Sequence, residues 1–193
     1  PASYYDIPWR REPGAGMLLT NLIHDLDLLR HLCGEVRQVQ AFTSNAVRGF
    51  ANEDCAAVLL QFENGALGTL TGSDAVAAPW SWELDSGENP VYPRQADQPC
   101  YLLAGTDGAL SIPQLKRWHY AEPGAGWHQP LLQEQEGYPH EEALDRQLRH
   151  FVQVARGLAA PLVSAADAGR TLALIEAIRR AAECGQACRP ETI

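Results

Sequence analysis

The stretch "CAAVLLQFENGALGTLTGS", residues 55–73, decides how the chain folds. Two apolar runs, Cys55–Phe62 and Ala66–Ser73, flank the turn Glu63-Asn64-Gly65. Asn-Gly between two such runs is the strongest short-range hairpin signal in a sequence. Strand-like segments extend from it in both directions. Val36–Val47 precedes it, and Trp82–Ser86, Tyr101–Ala104, Ala109–Ile112 and Lys116–Tyr120 follow, with "GTDG" (residues 105–108) as the turn between the middle two. Gly87–Pro99 and Glu122–Pro130 read as loops.

Helices sit only at the two ends of this strand series. Apolar residues from Met17 to Leu32 keep the helical period, and Gly34 is placed to end that helix. His140–Gly157 and Ser164–Cys184 read as two further helices, the last opening with the Ser164/Asp167 pattern of a capping box. Residues 1–13 read as irregular or a short strand. One helix, six to eight strands in series and two helices imply an α+β fold, a predominantly antiparallel open sheet with helices packed on one face. Strands and helices do not alternate, which excludes a doubly wound nucleotide-binding sheet.

Composition narrows the function. The 193 residues are 46% hydrophobic and 20% charged, ordinary globular usage, and the net charge is -9. That balance repels a nucleic-acid backbone or an anionic membrane surface, and no Lys/Arg run offsets it; Arg10-Arg11 pairs basic residues near an aromatic. No apolar stretch is long enough to span a bilayer, and the opening residues lack a signal-peptide pattern. Five scattered cysteines, with Cys184 and Cys188 as a lone C-x3-C, read as reduced thiols of a cytoplasmic protein. The missing initiator methionine raises the expectation of a piece from a longer protein.

"GAGMLLTNLIHDLDLLRHLCG", Gly14 to Gly34, carries the candidate chemistry. A dinucleotide fingerprint needs a third glycine and a preceding strand. Leu19 occupies the third position and "PWRREP" is a poor strand, so that reading fails. On the helix, Thr20, Asn21, His24 and Asp27 can share one side while leucines fill much of the other. An imidazole can give or take a proton near neutral pH, with Asn21 or Asp27 fixing its tautomer. A histidine hydrogen-bonded inside a domain interface fits the same pattern. A metal would need a third ligand, and none is in view.

The segment from Trp9 to Val39, "WRREPGAGMLLTNLIHDLDLLRHLCGEVRQV", resembles the start of the C-terminal domain of the Gfo/Idh/MocA oxidoreductases. "NEDCAAVLLQFENGALGTLTGSDAV" (52–76), "GTDGALSI" (105–112) and the C-terminal run from Arg149 to Pro190 are similar to that family too. The resemblance implies an NAD(P)-dependent enzyme on a sugar, polyol or related hydroxy compound. Residues 1–193 would be its substrate-binding and oligomerisation domain, a homodimer or homotetramer built through the sheet. A Rossmann half outside this chain would bind NAD or NADP and supply a lysine, so the chain alone would be inactive. His24 matches the family histidine, expected beside the nicotinamide, and Asp27 the later aspartate. Thr20 stands where the family has an aspartate, Leu22 where it has a glycine, and Asn21 is the nearby polar group for a substrate contact.

Trp9 and Arg10 correspond to the family's W-R and are further substrate-binding candidates. Trp80, Trp82 and Tyr92 read as core or interface aromatics rather than sugar platforms. His140, Glu141 and Glu142 read as a helix start, and Glu53 and Asp54 as strand flanks. The rival reading is a sheet-based binding or dimerisation domain without catalysis.

Overall fold

In the computed structural model, which describes residues 2–95, 97–122, 124–137 and 142–191, the hairpin forms as read. Strands β1 (Val36–Ser44), β2 (Cys55–Phe62) and β3 (Leu67–Ser73) make an antiparallel sheet in that order. At the turn, the Asn64 side-chain oxygen accepts the Ala66 N–H at 3.0 Å, and its amide donates to the Cys33 carbonyl at 2.9 Å. The chain divides into two compact units. This sheet belongs to the first, Pro1–Val76 with Leu162–Ile193; Ala77–Pro161 forms the second.

Side chains of a strand alternate between faces, so the register fixes what each face presents. Val39 opposes Leu60 and Ala41 opposes Val58, and all four are buried. This face is covered by α2 (Leu22–Cys33) and α5 (Ala165–Cys184), which bury Leu22, Leu26, Leu174, Ile175 and Ile178 in the same core. Each such aliphatic side chain gains about 1.5–3 kcal/mol from leaving water. Gly72 of β3 permits the close approach: a Cβ there would lie 2.9 Å from Leu22 and Met17 side-chain carbons. The opposite face stays open. Its rows Gln40–Leu59–Thr69 and Phe42–Ala57–Thr71 carry no charge, and Phe42 and Leu59 are 73% and 58% exposed.

The second unit holds the antiparallel sheet β4 (Tyr101–Gly105), β5 (Gly108–Ile112), β6 (Lys116–His119) and β7 (Leu132–Gln135), in that order. Strand β7 has no counterpart among the segments that the sequence marks as strands. The fold is therefore α+β, with open antiparallel sheets and helices.

Three expectations are corrected. Trp82–Ser86 is not a strand but a helical turn, α3 (Trp82–Asp85), because the Ser81 hydroxyl accepts the Leu84 N–H and starts it. Residues 2–6 and 8–11, in the stretch read as irregular or a short strand, form short 3-10 helices. The helix read as continuous from Met17 is broken at Asn21 into α1 (Met17–Thr20) and α2. His140 and Glu141, the expected start of the third helix, lie outside the described residues, and the helix itself is α4 (Ala143–Ala155).

In the second unit Asp85 is 1% exposed, and neither carboxylate oxygen has a hydrogen-bond partner among the described residues. Burial pushes its pKa up to about 6, opposed only in part by the nearby Ser81 backbone. A folded-state pKa raised above the unfolded value leaves stability full below the ordinary carboxylate range. It then drains as pH climbs to about 6 and levels off above. Unfolding in urea between pH 4.5 and 7 should show the second unit of the wild type losing up to about 2 kcal/mol relative to Asp85→Asn. Tryptophan fluorescence reads it, since Trp80, Trp82, Trp118 and Trp127 lie in that unit. Parallel pH profiles for the two proteins would refute a buried, unpaired carboxyl.

Candidate functional site

The break at Asn21 shapes the candidate site. The Thr20 hydroxyl has the Gly16 carbonyl at 3.1 Å and the Asn21 side-chain oxygen at 2.8 Å as acceptors. Such back-bonding by threonine competes with regular helix and bends it. Asn21 leaves helical geometry (φ -129°, ψ -61°), and α2 restarts with the His24 N–H donating to the Asn21 carbonyl at 3.1 Å. Asn21 and His24 are both exposed. The His24 ring makes no hydrogen bond among the described residues, so neither Asn21 nor Asp27 fixes its tautomer.

Asp27 turns the other way. Its Oδ1 accepts the Thr171 hydroxyl of α5 at 2.6 Å and faces Arg30 Nη1 at 3.4 Å. Arg30, only 7% exposed, donates to both Glu35 carboxylate oxygens at 2.9 and 2.7 Å and to Asp167 Oδ1 at 3.0 Å. The guanidinium, as their first cause, holds the Glu35 and Asp167 carboxyls below the usual range. Asp27 therefore belongs to the ion network joining α2 to α5.

Trp9 and Arg10 lie in an aromatic cluster of the first unit. The Arg10 guanidinium stacks over the Tyr4 ring at 3.9 Å and near Trp9 at 5.4 Å, and donates to the Tyr4 carbonyl at 2.9 Å. Beside them the Tyr5 hydroxyl donates to Asp74, and burial followed by that carboxylate pushes the phenol up to about 12. None of these contacts reaches Thr20, Asn21 or His24. The structure thus brings Thr20, Asn21 and His24 together, and sends Asp27, Trp9 and Arg10 elsewhere.

One positioning group escaped the sequence. Gly16 starts α1 without a side-chain cap, and Glu53 Oε1 supplies one from outside, accepting the Leu18 N–H at 3.0 Å. A Cβ at residue 16 would fall 2.1 Å from the Glu53 carboxyl carbon. The signal was there: a helix that opens on glycine leaves its first N–H groups for another element to satisfy. Asp54, buried beside it, accepts the Val47 and Arg48 N–H groups at 3.0 and 2.8 Å and pins the turn after β1.

Comparison with known proteins places the architecture. The profile of the GFO/IDH/MocA C-terminal domain matches residues 1–111. The chain belongs to that family. Similar solved structures include the WlbA dehydrogenase from Bordetella pertussis, in complex with NADH and UDP-GlcNAcA. It is 22% identical with a TM-score of 0.66, over 98% of this chain and 50% of that one. An oxidoreductase from Thermotoga maritima is 24% identical with a TM-score of 0.67, over 96% and 48%. A levoglucosan dehydrogenase in complex with NADH and levoglucosan is 16% identical with a TM-score of 0.64, over 95% and 53%. The chain spans about half the length of these structures, and their likeness shows the fold. No curated protein matches it. Among the described residues no group of three or more His, Cys, Asp or Glu could hold a metal, and no helix is long and apolar enough to cross a membrane.

Glu53→Ala should cost about 1 kcal/mol of stability, a typical helix-cap loss, with Glu53→Gln close to wild type because its amide oxygen still accepts. Gly16→Ala should cost about as much as Glu53→Ala, because its Cβ would push the Glu53 carboxylate off the helix start. Urea denaturation checks the order; a harmless Gly16→Ala would mean the helix start is not seated on Glu53.

Proposed function

We propose that this chain is the substrate-side domain of an NAD(P)-dependent oxidoreductase acting on a sugar, polyol or related hydroxy compound. The observation that supports the reading is the exposed, unpartnered His24 just beyond the Asn21 break, in a chain of the GFO/IDH/MocA C-terminal family. Similar structures that hold NADH with UDP-GlcNAcA or levoglucosan support the substrate class.

The described residues form antiparallel sheets and contain no strand–glycine-turn–helix unit of the kind that holds a dinucleotide. NAD or NADP would thus be held mainly by the remainder of the full-length protein, and the isolated chain is inactive. When bound, the cofactor takes or supplies the hydride. His24 acts as the acid/base: a ring nitrogen accepts the proton of the substrate hydroxyl during oxidation and returns it during reduction. Asn21, one turn earlier on the same exposed side, offers an amide donor and acceptor to a neighbouring hydroxyl. Thr20 supplies a neutral hydroxyl where the family has a carboxylate, so its contribution is a hydrogen bond and not a charge.

Dimerisation through the open face of β1–β3 belongs to the same proposal. A three-stranded face with uncharged rows and exposed Phe42 and Leu59 suits a second copy packed sheet to sheet.

In the full-length enzyme His24→Ala should lower kcat by roughly 10²–10⁴-fold, the usual share of a general acid/base. Assays use a sugar and polyol panel with NAD and NADP; turnover within a factor of two of wild type would remove His24 from the chemistry. Sedimentation at micromolar concentration should find a dimer or tetramer, and Leu59→Glu should shift it toward monomer. A monomeric wild type would refute the sheet interface.

A further inference from the structure

Cys184 is the last residue of α5, and the chain reverses at Gly185 (φ 69°, ψ 16°). The returning segment is held from two sides. Cys188 lies against the free edge of β1 in an isolated antiparallel bridge, with the Val39 N–H donating to the Cys188 carbonyl at 2.8 Å and the Cys188 N–H to the Val39 carbonyl at 2.9 Å. Arg180 of α5 donates to the Arg189 carbonyl at 2.7 Å and pairs with Glu191. Between these anchors the two thiols face each other, Sγ to Sγ, at 3.8 Å. Cys184 is exposed, while Cys188 packs against the hydrophobic core.

We propose that Cys184 and Cys188 form a built dithiol site that a low-molecular-weight disulfide such as oxidised glutathione converts to an intramolecular disulfide. The bridge would tie the end of α5 to the segment paired with β1. The sulfurs need to close by about 1.8 Å to reach bonding distance, within reach of side-chain rotation. Cys184 attacks first, because it is exposed; burial and the neighbouring sulfur hold the Cys188 thiol above its usual range. Its thiolate displaces one glutathione from the glutathione disulfide, giving a Cys184–glutathione mixed disulfide, and the released glutathione takes up a proton. Cys188 then loses its proton to solvent and its sulfur attacks the Cys184 sulfur, expelling the second glutathione. The protein loses two electrons and two protons, and glutathione disulfide gains both. No other oxidant is needed.

The fold should favour this bond. Residues four apart in an unfolded chain bring their sulfurs together only part of the time, whereas here the bridge to Val39 and the Arg180 contacts hold them in reach. By linkage, a bond that the folded state favours in turn favours the folded state. The protein is equilibrated in glutathione redox buffers, folded and in concentrated urea, then alkylated and mapped by peptide mass spectrometry. The 184–188 peptide should lose two hydrogens, with half-oxidation of the folded protein at a buffer about ten-fold more reducing than for the unfolded chain. The oxidised protein should also melt at a higher temperature than the reduced one. Cys188→Ser should stop at the mixed disulfide on Cys184. A folded pair no easier to oxidise than the unfolded pair, or one that stays glutathionylated in the wild type, overturns the proposal.

Discussion

The guanidinium of Arg30 is the constraint on which the first unit depends. At 7% exposure it cannot be solvated by water, so its donors must be met by protein, and a buried cation left unpaired costs several kcal/mol. The partners come from three places: Asp27 on its own helix, Glu35 at the entry to β1, and Asp167 with Thr171 on α5. Only one docking of α5 brings the last pair to Arg30. That docking also presents Leu174, Ile175 and Ile178 to the sheet, so the ion network and the apolar core select the same arrangement. A helix more than 130 residues away in sequence is thereby fixed to the one that carries His24.

The elements legible in the sequence were those whose signals are local. The 55–73 hairpin carries its turn and both strands in nineteen consecutive residues, and Ser164 caps α5 by accepting the Asp167 N–H, as the spacing implied. What stayed hidden depends on partners far along the chain or on competition between local rules. Arg30 falls among leucines on a helix, where a charged residue ordinarily marks the solvated face; its burial is decided by Asp167 and Glu35. The α1–α2 break is invisible to hydrophobic periodicity, since apolar spacing continues across Asn21 while the Thr20 hydroxyl diverts the backbone. At Trp82, aromatic content argues for a strand, and the Ser81 cap outweighs it.

The same helix thus does three jobs on three sides. Leu22 and Leu26 enter the core, Asp27 and Arg30 bind α5, and Asn21 and His24 face solvent. Sequence spacing placed His24 and Asp27 on a common side, as residues three apart usually are. The stronger demand of the buried guanidinium and of Thr171 takes the Asp27 carboxylate away. The break at Asn21 gives the exposed side its shape by ending one helix just before the histidine.

These assignments constrain any chemistry at His24. An acid/base histidine needs a defined ring orientation, and in many sites a carboxylate or carbonyl on the far nitrogen supplies it. Here Asp27, the acid one turn along the helix, is committed to Thr171 and Arg30, and the Thr20 hydroxyl is drawn to the Gly16 carbonyl. No hydrogen bond among the described residues orients the imidazole, so on the reading proposed above its orientation comes from substrate hydroxyls or from the rest of the full-length protein. On the reading proposed above, the ring becomes a directed proton acceptor only when the site is assembled. The docking of α2 onto α5 through Arg30 and Asp27 holds the backbone of His24 in place and leaves its ring unbonded among the described residues.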